Sequence, residues 1–172
     1  MKQILTLTLS LTFSLVMAQE APLTLSDAAI ATSRQQVQID GKTIQLIAQA
    51  GTYKLRDEQN KPLALFGYTS YIKEGAKSTR PIVFAFNGGP GSSSFWLHMG
   101  VLGPKRIVVN DPEYTPAAPY QIVNNNYSIL DVADLVMIDP VGTGLSVPLG
   151  SHTFDEFWGV DQDIRSISLF IT

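Results

Sequence analysis

The sequence predicts a protein of the α/β class, in which antiparallel N-terminal strands lead into a mostly parallel sheet with flanking helices. The continuously apolar run 82–86 and the largely apolar run 133–138 are typical of strands that such a sheet buries on both faces. Each run leads into a glycine-containing turn, and the spacing of apolar residues predicts an amphipathic helix after the second turn. This order of elements favours a sheet that is covered by helices.

The residues before the first buried run are predicted to form an antiparallel meander. Four segments have strand character because they are rich in β-branched and aromatic residues: 37–39, 43–48, 52–56 and 63–72. Gly51 separates the second segment from the third, and polar turns are predicted at 57–62 and 74–80. Short strands joined by such turns indicate neighbours that pair with one another.

Two helices and one more short strand are predicted in the rest of the chain. A short apolar helix is expected at about 94–102, ended by Gly103-Pro104, and a strand at 106–109 within a loop. The capping-box pattern of Thr153 and Glu156 is predicted to begin the last helix. Apolar residues then recur at helical spacing: Phe157, Val160, Ile164, Ile167 and Ile171.

Residues 1–18 are predicted to be a secretory signal peptide. Lys2 supplies the positive start, 4–17 is an uncharged apolar run, and the small-residue rule places cleavage after Ala18. The run is shorter than the roughly 20 residues that a membrane span needs. We therefore expect a bacterial protein exported to the periplasm or the extracellular space, without stable membrane insertion after cleavage. Residues 19–172 remain for the fold.

The composition excludes several classes of function. Of the 172 residues, 45% are hydrophobic and 16% charged, as in a globular domain. The formal net charge of −3 gives no electrostatic basis for binding nucleic acid. The absence of cysteine from the sequence excludes disulfides, thiolate metal sites and a cysteine nucleophile. We expect no metal and no cofactor, while the oligomeric state stays open.

Residues 87–93, Asn-Gly-Gly-Pro-Gly-Ser-Ser, directly follow the first buried run. Glycines let the backbone turn sharply and present N–H groups that a side chain would otherwise screen. Several N–H groups aimed at one point form an oxyanion hole, and a helix N-terminus at 92–94 would add its dipole to the same anion. A phosphate-binding loop would need a lysine near its end, and a dinucleotide fingerprint would need a third glycine. A purely structural turn is the remaining alternative.

A second glycine-containing segment, 139–146, follows the second buried run with the sequence Asp-Pro-Val-Gly-Thr-Gly-Leu-Ser. We interpret it as a tight strand-to-helix turn. Because ligands bind at the carboxyl ends of strands in open α/β sheets, this turn is expected to line the site without reacting.

These two segments, together with Gly103-Pro104, resemble the serine carboxypeptidase family over about 81–172. The resemblance implies an α/β-hydrolase fold, a Ser-Asp-His triad, and the removal of C-terminal residues from peptide substrates. It also implies that Gly89 donates an oxyanion-hole N–H group. Asn87 and Gly88 are implied to bind the C-terminal carboxylate of the substrate.

The triad itself is not found in the sequence. An α/β-hydrolase nucleophile lies in a G-x-S-x-G turn after a strand, and no serine here has that frame. Ser146 is the nearest approximation, but Pro148 replaces the final glycine. His98 and His152 come too early in the chain to act as the base. We therefore expect 19–172 to be the N-terminal portion of the peptidase domain, truncated before the nucleophile and inactive by itself.

Three positions depart from the pattern that this family commonly shows. Ser92 replaces a cysteine, so the associated disulfide is missing, and Ala85 replaces a tryptophan. Val101 replaces a glutamate that could hydrogen-bond a substrate carboxylate when protonated. We hypothesise that Lys105 or Arg106 supplies the charge for carboxylate binding instead.

Two other functions stay open from the sequence. A prolyl aminopeptidase-like hydrolase would also use Gly-Gly-Pro-Gly. Such enzymes typically have a histidine before this motif, where this chain has Asn87. A non-catalytic, truncated remnant is the second alternative.

Overall fold

The computed structural model describes residues 29–88, 91–109 and 117–172. Eight strands lie in these ranges: β1 Ile30–Ile39, β2 Lys42–Arg56, β3 Pro62–Lys73, β4 Ile82–Phe86, β5 Lys105–Ile107, β6 Ile122–Asn124, β7 Asp134–Asp139 and β8 Val147–Pro148. The helices are α1 Phe95–Leu97, which continues into a π-helical turn at His98–Leu102, and α2 Val160–Ile171. Short 3-10 helices lie at Ile129–Asp131 and Phe154–Phe157.

The main sheet has the strand order β1-β2-β3-β7-β4, with β8 paired to β3 beside this path. Strands β1, β2 and β3 form the expected antiparallel meander. Strand β7 lies antiparallel to β3 and parallel to β4. The described sheet is therefore mixed, and β4 with β7 is its single parallel pair, where a mostly parallel continuation was expected. Strands β5 and β6 form a separate two-stranded sheet.

Two cores cover the opposite faces of the sheet. Alternate residues of β7 separate them: Leu135 and Met137 belong to the first core, and Val136 and Ile138 to the second. Leu97 of α1 packs against the first core. The second core is covered by α2. The described residues thus form helix, sheet and helix layers, as the α/β prediction requires.

Two of the predicted strand boundaries were wrong. Strand β1 spans ten residues instead of the three predicted at 37–39. Strand β2 is continuous through Gly51, which was expected to break it. The reason is a close approach of two backbones, because a Cβ atom added at Gly51 would lie 2.2 Å from the carbonyl oxygen of Ala29. Gly51 therefore marks a close approach of the paired strands β1 and β2 rather than a turn.

The two predicted buried strands differ in their surroundings. Strand β7 is interior, between β3 and β4, and mostly buried, as expected. Strand β4 lies at the edge of the described sheet, where Ile82 and Phe86 are 51% and 46% exposed. Only Ala85 of β4 is buried. The prediction that β4 is covered on both faces is therefore wrong for the described residues.

The last helix begins later than predicted and buries only part of the predicted stripe, since Phe157 and Ile167 are buried as expected but Ile171 is exposed. The carboxylate of Glu156 accepts a hydrogen bond from the backbone N–H of Thr153 at 2.8 Å, so the capping box forms, but on a 3-10 turn. Val160 and Ile164, which were expected on the apolar stripe, are 77% and 60% exposed. Instead the ring of Phe170 packs among aromatic side chains of the sheet: Tyr53, Phe66 and Tyr68.

The predicted signal peptide, 1–18, lies outside the described residues. None of the helices in the described ranges is long and apolar enough to span a membrane.

Candidate active site

Both ends of the glycine-rich loop, 87–93, are fixed at the carboxyl end of β7. Strand β4 ends at Phe86, which pairs with Ile138 in parallel register. On the far side of the loop, the backbone N–H of Ser94 donates to Oδ1 of Asp139 at 2.9 Å, and Oγ of Ser94 donates to the carbonyl of Ile138. The loop therefore leaves and rejoins the sheet at its carboxyl edge, where the sequence placed the site.

A side-chain hydrogen bond closes this loop internally. Nδ2 of Asn87 donates to Oγ of Ser92 at 2.7 Å, so the serine that replaces the common cysteine accepts a bond across the loop. Gly88 is exposed, as a residue that contacts substrate must be. Gly89, the expected oxyanion-hole donor, lies outside the described residues together with Pro90. Its role stays a prediction.

The start of the helix after the loop differs from expectation. Ser94 is 3% exposed, and its N–H group is satisfied by Asp139 rather than directed at an open anion site. The carboxylate of Asp139 therefore occupies the position at the helix N-terminus that was predicted for a substrate anion.

The second glycine-containing segment is a tight turn, as predicted, but it leads into the short strand β8 rather than directly into a helix. The N–H of Gly142 donates to the carbonyl of Ser146 at 3.0 Å, and the N–H of Thr143 donates to that of Pro140 at 3.0 Å. Gly144 has a φ of +50°, and a Cβ atom there would lie 1.9 Å from Oδ2 of Asp139. Only glycine can pass the aspartate at this point.

Ser146 is a structural residue. It is 1% exposed, and its Oγ donates to the carbonyl of Asp139 at 2.5 Å while accepting the N–H of Gly67 at 2.6 Å. A hydroxyl that is buried and engaged on both sides has no path to a substrate carbonyl. The expectation that Ser146 is not the nucleophile agrees with this geometry.

A comparison with protein families bears on the function of the two glycine-containing segments. A family model described as serine carboxypeptidase matches residues 41–161, which is more than two thirds of the chain. The chain belongs to the serine carboxypeptidase family. A search of the curated proteins found no match. The matched span begins before β2 and includes both glycine-containing segments of this family member.

His98 lies behind the loop in this serine carboxypeptidase family member, not in an open site. Its Nε2 shares a hydrogen bond of 2.7 Å with the hydroxyl of Tyr71 on β3. Burial lowers the pKa of the imidazole, and the charge of Asp139 opposes that effect. Burial also raises the pKa of the Tyr71 phenol. No sequence signal pointed to this pair, because the two residues share no motif.

His152 is engaged elsewhere. Its Nδ1 lies 2.8 Å from Oε2 of Glu156, and this hydrogen bond is the main cause of a lowered pKa of Glu156. Both residues line an open cavity of about 560 Å³ with Asp57, Glu58 and Arg165, between the β2–β3 turn and α2. No residue of the loop 87–93 lines that cavity. Neither histidine hydrogen-bonds a serine among the described residues.

The residues suggested for carboxylate binding have different surroundings. Nζ of Lys105 donates to Oδ1 of Asn124 at 3.0 Å. Arg106 is half-buried, and its guanidinium has no hydrogen-bond partner among the described residues. Val101 is 55% exposed, and Ala85 is buried in the first core. Among residues 29–88, 91–109 and 117–172, no group of acidic or histidine side chains could hold a metal ion.

Proposed function

We propose that this chain contributes the oxyanion loop and the substrate-carboxylate site of an α/β-hydrolase serine carboxypeptidase. The observation that carries the proposal is the glycine-rich loop, fixed at the carboxyl edge of the sheet within the span of the family match. A peptide is the substrate, and the bond to its C-terminal residue is cleaved.

The chemistry that this loop supports is acyl transfer. A serine oxygen attacks the carbonyl carbon of the last peptide bond, and the carbonyl oxygen becomes negative. Rigid backbone N–H groups stabilise that oxygen because they need no reorganisation when the charge develops. The proposal assigns one donor to Gly89. A general base takes the proton of the serine and passes it to the leaving amine, and water then releases the acyl group.

Recognition of the free C-terminus distinguishes a carboxypeptidase from an endopeptidase. The proposal places the substrate carboxylate near Asn87 and Gly88, at the exposed start of the loop. One N–H of the Asn87 amide is used by Ser92, which holds the side chain against the loop. Because Val101 cannot hydrogen-bond a carboxylate, the guanidinium of Arg106 is proposed to provide the charge.

The serine, acid and histidine of the triad are proposed to come from polypeptide beyond the described residues. Support comes from the two histidines of the sequence, which are engaged by Tyr71 and Glu156. Export after cleavage at Ala18 is part of the same proposal. Mass spectrometry of the protein from its natural host would show a mature N-terminus at Gln19, and an intact Met1 would contradict export by this route.

Three peptide substrates test the activity in the natural, full-length polypeptide. The first has a free carboxylate, the second is the same peptide with a C-terminal amide, and the third begins with proline. We expect release of the C-terminal residue from the first peptide, and inhibition by a serine-directed phosphonate. Preferential release of N-terminal proline would support the aminopeptidase alternative. Absence of any release, together with no phosphonate labelling, would overturn the proposal in favour of a non-catalytic protein.

A further inference from the structure

Asp139 connects the two glycine-containing segments. Its Oδ1 accepts the N–H of Ser94, where the first segment ends, while its own backbone begins the second segment. Hydrogen bonds to a charged acceptor are roughly twice as strong as bonds between neutral groups. Ser94 is also held by its hydroxyl, which donates to Ile138. Two adjacent residues of β7 therefore fix the position of Ser94.

The carboxylate of Asp139 is itself held in place. Its Oδ2 fills the space that the missing side chain of Gly144 leaves. Its backbone carbonyl accepts the hydroxyl of Ser146, which in turn accepts the N–H of Gly67 on β3. A continuous series of contacts thus runs from β3 through Ser146 and Asp139 to Ser94.

This arrangement controls the geometry of the loop. The pairing of Phe86 with Ile138 fixes one end, and the bonds of Ser94 fix the other. Oxyanion donors work at 2.7–3.1 Å from the developing charge, and a displacement of about 1 Å can cost about 100-fold in rate. Holding both loop ends at the carboxyl end of β7 restricts such displacement.

Other roles for Asp139 do not fit its contacts. A triad acid hydrogen-bonds the catalytic histidine, but Oδ1 of Asp139 is engaged by a backbone amide. The nearby imidazole of His98 hydrogen-bonds Tyr71 instead. The carboxylate is half-buried, with Oδ1 bonded to Ser94 and Oδ2 next to the backbone of Gly144.

We infer that Asp139 is a positioning residue for the proposed acyl transfer, which holds Ser94 and thereby fixes the position of the far end of the loop 87–93. The inference rests on the proposed function. Asp139 touches no substrate and acts only through the loop. It should therefore affect the rate of the chemical step more than the binding of the peptide.

The kinetic test compares Asp139→Ala and Asp139→Asn with the wild-type full-length enzyme. We expect kcat to fall about 100-fold in Asp139→Ala and about 10-fold in Asp139→Asn, which keeps a neutral acceptor, with KM changed less than about threefold. Asp161→Asn is the matched control, since Asp161 is an exposed residue of α2 away from the loop. Unchanged kcat in Asp139→Ala, or a loss confined to KM, would overturn the inference.

Amide hydrogen exchange gives a second readout that does not depend on activity. We expect the amides of Gly91 and Ser94 to exchange at least 10-fold faster in both Asp139 variants, with β7 amides such as Met137 unchanged. Equal acceleration throughout β7 would indicate a general loss of stability and overturn the inference. If the wild-type protein releases no C-terminal residue, the proposed function fails. Exchange at Ser94 then decides alone whether Asp139 holds the loop.

Discussion

The imidazole of His98 and the hydroxyl of Tyr71 share a hydrogen bond of 2.7 Å in the core beneath the candidate site. Their rings also contact edge to face, with centroids 5.5 Å apart. The pair joins the π-helical turn that follows the loop to the middle of β3. It therefore ties the stability of this region to the protonation of one histidine.

Stability is expected to fall at mildly acidic pH because of His98. Burial lowers its pKa below the ordinary 6.5 in the folded state. The unfolded chain then binds more protons than the folded chain, so the contribution is fully present above pH 6.5 and is lost as the pH falls through the folded-state pKa. Chemical denaturation between pH 7.5 and 5 would measure this decline in the free energy of unfolding.

Two variants isolate that contribution. His98→Gln removes the titrating group and should flatten the decline below pH 6.5. His152→Gln removes the other histidine of the sequence and should keep the decline, because the bond between Tyr71 and His98 is intact. An unchanged decline in His98→Gln would contradict the prediction.

A buried ion pair at the start of β7 makes Arg80 a strong determinant of stability. Nε of Arg80 lies 2.9 Å from Oδ1 of Asp134, and the two side chains are only 12% and 8% exposed. Arg80→Met should lower the free energy of unfolding by about 3–5 kcal/mol, because it leaves a buried carboxylate without its partner. Arg34→Met is the control, since Arg34 and Glu74 form an exposed pair worth less than about 1 kcal/mol. Equal losses in urea denaturation of the two variants would refute the assignment.

Arg106 is expected to select substrates with a free carboxylate. Arg106→Ala should raise KM for such a peptide about 10-fold or more, since a charge-assisted bond is lost, while the C-terminally amidated peptide is unaffected. Lys105→Ala is the neighbouring control, because that ammonium is bonded to Asn124. Steady-state kinetics of both variants with the peptide pair would decide. An unchanged KM in Arg106→Ala would remove this residue from carboxylate recognition.

The close approach of Gly51 to the backbone of Ala29 predicts that one added methyl group at Gly51 lowers the stability of the protein strongly. In Gly51→Ala the new Cβ atom would meet the carbonyl oxygen of Ala29, so the strand must shift at a cost of about 1–3 kcal/mol. Gly100→Ala introduces the same group into open space. Thermal unfolding should show a clearly lower Tm only for the first variant. A similar Tm for both variants would show that the start of β1 can shift at little cost in free energy.

Local patterns predicted those parts of the fold that local chemistry determines. The run at 133–138 became the interior strand β7, and the polar turns at 57–62 and 74–80 joined the expected strands. The face of α2 was predicted only in part, because Ile167 is buried as expected while Phe170 contacts aromatic side chains of the sheet and Val160 and Ile164 are exposed. Sequence spacing alone cannot show which contacts a helix face will make with the sheet.

The residues of the candidate site could be predicted from the sequence, but the hydrogen bonds that connect them could not. The glycines of 87–93 identified the loop. The bond between Ser94 and Asp139 spans 45 residues and arises only because β4 and β7 pair in parallel. Its one sequence signal is an aspartate at the last position of a buried strand, directly before a proline. No periodicity or motif indicated that Tyr71 would meet His98.

The shared anchorage of the loop on Ile138 and Asp139 has a mechanical consequence. When the sheet twists, both attachment points move together with β7, so the distance between them changes little. Movement of the outer strands β1 and β2, which pair with neither β4 nor β7, is thereby expected to change the distance between Phe86 and Ser94 little.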